Sequence, residues 1–184
     1  DNDDQDGKRP TSITVNLLAN GEKVRSQVVT AAGNWTYNFT DLPKYADGKE
    51  ITYTVEEVAV ADYTTEINGY DIINTHKPET TEVSGTKTWD DSNDQDGKRP
   101  ESITVNLLAN GEKVDSKEVT ADDNWTYSFT DLPVYKAGQK LTYTVSEETV
   151  ADYTTIYDGT NIKNSYTPGK TSATVTKVWK DAEN

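Results

Sequence analysis

The chain has 184 residues with 18 Lys and Arg against 32 Asp and Glu, a formal net charge of −14, which argues against a nucleic-acid binder because phosphate neutralisation needs clustered cations. Cys and Met are both absent, which excludes disulfides, thiolate metal sites and thiol nucleophiles. The single histidine, His76, leaves one base for any Ser-His-Asp device, so a hydrolase is not expected.

In chain order, Asp1-Asn2-Asp3-Asp4 opens the sequence without the features of a signal peptide, and no apolar run approaches the roughly 20 residues of a membrane span. The chain is expected to be an internal piece of a longer protein. Asn2-Asp3-Asp4-Gln5-Asp6-Gly7 fits the first half of an EF-hand loop, and Ser92-Asn93-Asp94-Gln95-Asp96-Gly97 nearly does. The closing carboxylate is replaced by Ile13 and Ile103, so Asp4, Asp6, Asp94 and Asp96 are weak metal candidates. Acidic turns held by Asx hydrogen bonds are the plainer reading, and no cofactor is called for.

Beyond this turn, Ile13, Val15 and Leu17 alternate with Thr14 and Asn16. Trp35, Tyr37 and Phe39 alternate with Thr36 and Asn38, and Ile51, Tyr53 and Val55 with Thr52 and Thr54. Period two with β-branched and aromatic residues predicts half-buried strands, with Trp35, Tyr37 and Phe39 on one core face. Asn20-Gly21 and Asn110-Gly111 separate alternating runs and predict type I′ hairpin turns. With no helical stripe of comparable length, the pattern is that of an antiparallel β-sandwich.

The whole pattern recurs 90 residues later: Gln5-Asp6-Gly7-Lys8-Arg9-Pro10 returns at Gln95, Val15 to Val24 at Val105, Asn34-Trp35-Thr36-Tyr37 at Asn124, and Ala61-Asp62-Tyr63-Thr64-Thr65 at Ala151. A unit of this length can bury its own small core, so tandem domains are expected and not a solenoid. Val83 to Trp89 precedes the second copy, has no counterpart before the first, and returns as Ala173 to Trp179. The expected division is 1–78, a unit lacking its first strand; 79–168, a complete unit; and 169–184, the first strand of a following unit.

Three polar residue types fall on predicted core faces. Lys87 shares parity with Val83 and Trp89, Glu57 and Glu147 with Tyr53-Val55 and Tyr143-Val145, and Asn74 and Asn164 with Ile72 and Ile162. Burial favours the neutral forms of Lys and Glu, while their mutual attraction favours the charged ones. A neutral amine facing an Asn side chain could attack its carbonyl carbon while a protonated Glu polarises the oxygen and relays protons as ammonia leaves. The product would be a Lys–Asn isopeptide crosslink. From alternation alone a lysine whose ammonium snorkels to the sheet edge, and an Asn serving as a turn residue, stand beside that reading.

At these residues the sequence closely resembles the CnaB-type (B-region) repeats of Gram-positive cell-surface adhesins. The resemblance rests on Thr-Lys-x-Trp (Thr86 to Trp89, Thr176 to Trp179), Gln-Asp-Gly-Lys-Arg-Pro, Val-Asn-Leu-Leu-Ala-Asn-Gly, Asp-Leu-Pro, Tyr-Thr-Val-x-Glu ending at Glu57 and Glu147, Asp-Tyr-Thr-Thr, and Ile-x-Asn ending at Asn74 and Asn164. It spans essentially the whole chain. It implies an all-β protein of tandem inverse immunoglobulin-like (prealbumin-like) sandwiches, with a first-strand Lys joined to a last-strand Asn with help from the Glu. That assigns Lys87 to Asn164 with Glu147.

For Asn74, with Glu57, the matching first-strand lysine would lie upstream of Asp1. Either Asn74 stays unreacted or Lys177 of a neighbouring molecule reaches it by head-to-tail strand exchange. The expected role is a structural stalk of a cell-wall-anchored, extracellular adhesin. Self-crosslinking happens once per molecule, so no enzyme in the turnover sense is expected. Partners are neighbouring repeats, with neither nucleic acid nor membrane insertion. The rival readings are a module that binds a host ligand itself and a pilus subunit fragment.

Overall fold

The computed structural model describes residues 1–180. Among them there is no α-helix; apart from one short 3-10 turn at Ala31–Gly33, regular structure is entirely strand. The first seven strands are β1 (Ser12–Ala19), β2 (Glu22–Thr30), β3 (Tyr45–Ala46), β4 (Lys49–Glu50), β5 (Tyr53–Glu57), β6 (Thr64–Asn68) and β7 (Asp71–Thr75). The next nine are β8 (Thr80–Asp90), β9 (Ser102–Ala109), β10 (Glu112–Thr120), β11 (Thr126–Pro133), β12 (Tyr135–Lys136), β13 (Gln139–Lys140), β14 (Tyr143–Glu147), β15 (Thr154–Asp158) and β16 (Asn161–Ser165). The chain forms two compact units, one of residues 1–81 with 133–141, the other of 82–132 with the chain from 142 onward.

In the second unit a sheet ordered β10-β9-β14 faces one ordered β11-β8-β16-β15. Val83, Ile103, Val105, Leu107, Val119, Tyr127, Phe129 and Ile162 fill the space between them, with Trp89, Trp125 and Val145 at the margin. These are the alternate residues of their strands, so the two-residue period of the sequence becomes the inner faces of an immunoglobulin-like sandwich. The first strand, β8, and the last, β16, run parallel in the middle of the larger sheet, with Ile162 opposite Lys87 and Asn164 opposite Trp89. That pair departs from the antiparallel rule of the other ladders.

The first unit repeats the smaller sheet as β2-β1-β5, around Val15, Leu17, Val29 and Val55. Both hairpins turn as predicted at Asn-Gly: Asn20 and Gly21 have φ of 51° and 88°, Asn110 and Gly111 of 50° and 87°. Positive φ at both central residues suits the twist of the flanking strands. The other sheet differs. β6 pairs only with β7, and Thr36–Thr40, whose counterpart opens β11, forms no strand. Tyr37 and Phe39 are half-buried where Tyr127 and Phe129 are buried. Near-identical sequence thus gives a strand in one unit and irregular chain in the other. In the second unit β11 lies against β8, and among the described residues the first unit has no strand in the place of β8.

Residues 166–180 form no strand, and Val175, Val178 and Trp179 are exposed. The expected first strand of a following unit is therefore unpaired over its described part; residues 181–184 of that segment lie outside the described residues.

Candidate functional site

Three strands bring Lys87, Glu147 and Asn164 into the core of the second unit. Lys87 lies in β8, whose backbone is fixed on one side by Lys87 N–H donating to the Trp125 carbonyl at 2.7 Å and on the other by pairing with β16. Parallel register puts Asn164 two residues along on the adjacent strand, hence on the same face as Lys87. Glu147 ends β14 in the opposite sheet, opposite Val105, and reaches across the sandwich. Lys87 Nζ and Glu147 Oε1 are 3.0 Å apart with both side chains essentially unexposed, at 0% and 1%. The contact is an ion-pair distance without hydrogen-bond alignment: both atoms lack an aligned partner, as do Asn164 Nδ2 and Oδ1.

Buried polar atoms are nearly always hydrogen-bonded, so a buried ion pair without hydrogen-bond alignment, together with an Asn164 amide unbonded at both Nδ2 and Oδ1, makes a site that stability alone does not explain. Burial pushes the Lys87 ammonium below its usual range, against the pull of Glu147. Nζ also lies 4.1 Å from the ring centre of Trp89, which packs edge-on to Trp125 and Tyr153. The aromatic wall keeps water from the amine, the condition under which lysine becomes a nucleophile.

Glu147 is positioned by two contacts: its N–H donates to the Tyr157 hydroxyl oxygen at 2.9 Å, and Thr155 Oγ1 lies within hydrogen-bond distance of its Oε2 at 3.0 Å. Below the site, Asp91 holds Arg99 by two hydrogen bonds of 2.6 and 3.0 Å and accepts a third from the Tyr153 hydroxyl at 3.0 Å. The guanidinium lowers the Asp91 carboxyl to about 2. This clasp fastens the chain directly after β8.

In the first unit, Glu57 is buried, and Asn74 Nδ2 donates to its Oε1 at 2.8 Å. Thr65 Oγ1 lies 2.8 Å from Glu57 Oε2 and 2.7 Å from Asn74 Oδ1. The Asp1–Arg9–Tyr63 clasp matches that of the second unit, with bonds of 2.7, 2.9 and 2.8 Å. Lys177, in the exposed segment, sets its Nζ 3.2 Å from the ring centre of Trp179.

The four aspartates of the acidic turns have protein partners. Asp4 Oδ1 accepts from Arg9 N–H, and Asp94 Oδ1 from Lys98 and Arg99 N–H, each at 2.8 Å. Asp6 Oδ2 faces His76 Nε2 at 3.0 Å and Glu79 N–H at 2.8 Å. Asp96 Oδ2 accepts from the Tyr166 hydroxyl at 2.9 Å and Gly169 N–H at 2.8 Å. Among the described residues no cluster of three or more His, Asp or Glu could hold a metal ion.

Sequence reasoning missed the threonines and the clasp. Thr65 and Thr155 close the repeated Asp-Tyr-Thr-Thr block, and its Tyr belongs to the clasp; the recurrence of that block 90 residues apart was the available signal.

A family model described as the Cna protein B-type domain matches residues 1–75 and again 83–165. A collagen adhesin of Staphylococcus aureus is 51% identical over 191 residues, covering 100% of this chain and 16% of the adhesin. The crystal structure of two B repeat units of the collagen binding protein of Staphylococcus aureus superposes with a TM-score of 0.83 at 48% identity, over 91% of this chain and 47% of that one. A single B repeat unit of the same protein is also 48% identical, with a TM-score of 0.46 over 90% of this chain and 92% of that one. The chain thus spans about half the two-repeat structure and about a sixth of the adhesin.

Proposed function

The chain belongs to the Cna protein B-type domain family, and from that premise we propose that it is a structural stalk segment of a bacterial cell-wall surface adhesin, whose second repeat locks itself with a Lys87–Asn164 isopeptide bond. The observation that carries this reading is the burial of Lys87, Glu147 and Asn164 together with Nζ, Oε1, Nδ2 and Oδ1 all lacking aligned partners. In the neutral pair, the Lys87 amine attacks Asn164 Cγ, Glu147 serves as the proton carrier, and ammonia departs. The groups act once in each molecule, so the reaction has no turnover, and it requires no metal or cofactor.

The repeats are proposed to lie outside the cell, between a wall anchor and a ligand-binding region, with neighbouring repeats as their first partners. A bond between the first and last strands carries tension covalently where a ladder of hydrogen bonds would shear. Glu57 and Asn74 form the same site awaiting its amine. The Thr-Lys-x-Trp segment at Thr176 to Trp179 is proposed to supply that amine from a second copy, head to tail.

Intact mass of the denatured chain tests the proposal, since each bond expels ammonia and lowers the mass by about 17 Da. The expected result is one such loss, abolished by Lys87→Ala and by Asn164→Ala. Covalent multimers removed by Asn74→Ala or Lys177→Ala are expected at high concentration if copies exchange strands. An unreduced mass would leave ordinary sandwich domains.

A further inference from the structure

The two units hold the Glu–Asn pair in two different hydrogen-bond arrangements, and in both a threonine hydroxyl meets the carboxyl. In the first unit Thr65 Oγ1 is within hydrogen-bond distance of both Glu57 Oε2 and Asn74 Oδ1, while Asn74 Nδ2 donates to Glu57 Oε1. An amide oxygen accepts only, an ionised carboxylate accepts only, and a hydroxyl has one hydrogen. With Glu57 ionised, one of the two threonine contacts would have no proton. With a proton on Oε2 every contact is satisfied in a closed ring: Oε2–H donates to Oγ1, Oγ1–H to Oδ1, and Nδ2–H to Oε1.

In the second unit the same threonine keeps its hold, with Thr155 Oγ1 at 3.0 Å from Glu147 Oε2. Thr155 is the direct cross-strand neighbour of Asn164. Oε1, which in the first unit receives the amide, now faces Lys87 Nζ at 3.0 Å, and the Asn164 amide is released from both of its bonds.

We propose that Thr155, and Thr65 in the first unit, is a proton-relay residue of the crosslinking reaction, joining the Glu carboxyl to the Asn carbonyl oxygen. This rests on the crosslink proposed above and deepens it. As Nζ bonds to Cγ, the carbonyl π pair moves to Oδ1, which takes the Thr155 hydroxyl proton. Thr155 is reprotonated from Glu147 Oε2, and an Nζ proton passes to Oε1. The tetrahedral adduct is neutral and Glu147 is still an acid, its proton now on Oε1. In the collapse the Oδ1 proton returns through Thr155 to Oε2, the Oε1 proton goes to Nδ2, and the Cγ–Nδ2 bond breaks to release ammonia. Threonine and glutamate end as they began.

The test is cell-free synthesis of the 184-residue chain, sampled over time by intact mass. Thr155→Val keeps the β-branched shape that strands favour and removes the hydroxyl; Thr155→Ser keeps the hydroxyl. Thr155→Val is expected to slow the loss of mass roughly a hundredfold, the scale of a lost proton-transfer catalyst, and Thr155→Ser to restore most of the rate. The restored reaction is expected to be slower in deuterium oxide, as in the unsubstituted chain, because the relay moves several protons together. Equal rates for the Val variant and the unsubstituted chain would overturn the relay. So would a Ser variant as slow as Val, which would mark a packing role. An unsubstituted chain that never loses mass would instead remove the crosslink, and the relay with it.

Discussion

His76 sets both ring nitrogens against acceptors, Nδ1 at 2.8 Å from the Asp62 carbonyl and Nε2 at 3.0 Å from Asp6 Oδ2. A neutral imidazole has one N–H, so only the imidazolium satisfies both. The Asp6 carboxylate, and then the Asp62 carbonyl, accordingly raise His76 above its ordinary 6.5, and His76 lowers Asp6 below 3.8. The histidine contribution is complete below 6.5 and fades as pH rises through the raised value. The aspartate contribution is complete above 3.8 and fades as pH falls through the lowered one. Both act together between those limits. In the second unit the equivalent position is Tyr166, whose hydroxyl donates to Asp96 Oδ2 at 2.9 Å and carries no charge in this range. The first unit should therefore lose stability as pH is raised above 6.5 and through the raised His76 value, and His76→Tyr should flatten that slope. Thermal melts of the two proteins across this range check it; parallel curves would refute it.

At the scale of the strand, Gly85 shows how closely the first strand must approach the last. A Cβ there would collide with the Thr160 carbonyl and the Tyr127 ring, and the Tyr127 hydroxyl donates to that same carbonyl. Gly85→Ala is expected to cost the second unit about 1–3 kcal/mol, the usual penalty for overpacking. Gly33→Ala, whose Cβ would meet only Thr30 Oγ1 at 3.9 Å, is expected to cost far less. Urea midpoints of the two variants make the comparison. Strand alternation was enough to expose the sandwich, the Asn-Gly turns and the parity of Lys87, Glu147 and Asn164, because each follows from a local period. It predicted a strand for Trp35 to Phe39 as readily as for Trp125 to Phe129. Only the second forms, since a strand needs a neighbour and no local pattern states whether one is there. Thr155 stayed hidden for a related reason: the importance of its hydroxyl depends on which carboxyl oxygen it meets, and that is set by two sheets packing face to face.

For the whole chain, the proposed crosslink would make the two repeats thermodynamically unlike despite their shared sequence. A bond from Lys87 to Asn164 closes a loop of roughly 80 residues, and loop-closure entropy assigns such a link about 4 kcal/mol of stability through the unfolded state. For a domain of this size each kcal/mol moves the midpoint by roughly 4–8 °C, so the bond corresponds to a rise of about 15–30 °C. Calorimetry of the 184-residue chain should then show two transitions, and Lys87→Ala should lower only the upper one by that amount. The unit of residues 1–81 contains none of Lys87, Glu147 and Asn164, so its own transition should stay in place. In a chain without the crosslink, the substitution would instead remove a buried ammonium and leave Glu147 without its ion partner, a cost of its own. Asn164→Ala separates the two effects: it forbids the bond yet leaves the Lys87–Glu147 pair intact. A similar fall in both variants would assign the stability to the bond, whereas a fall confined to Lys87→Ala would assign it to the ion pair.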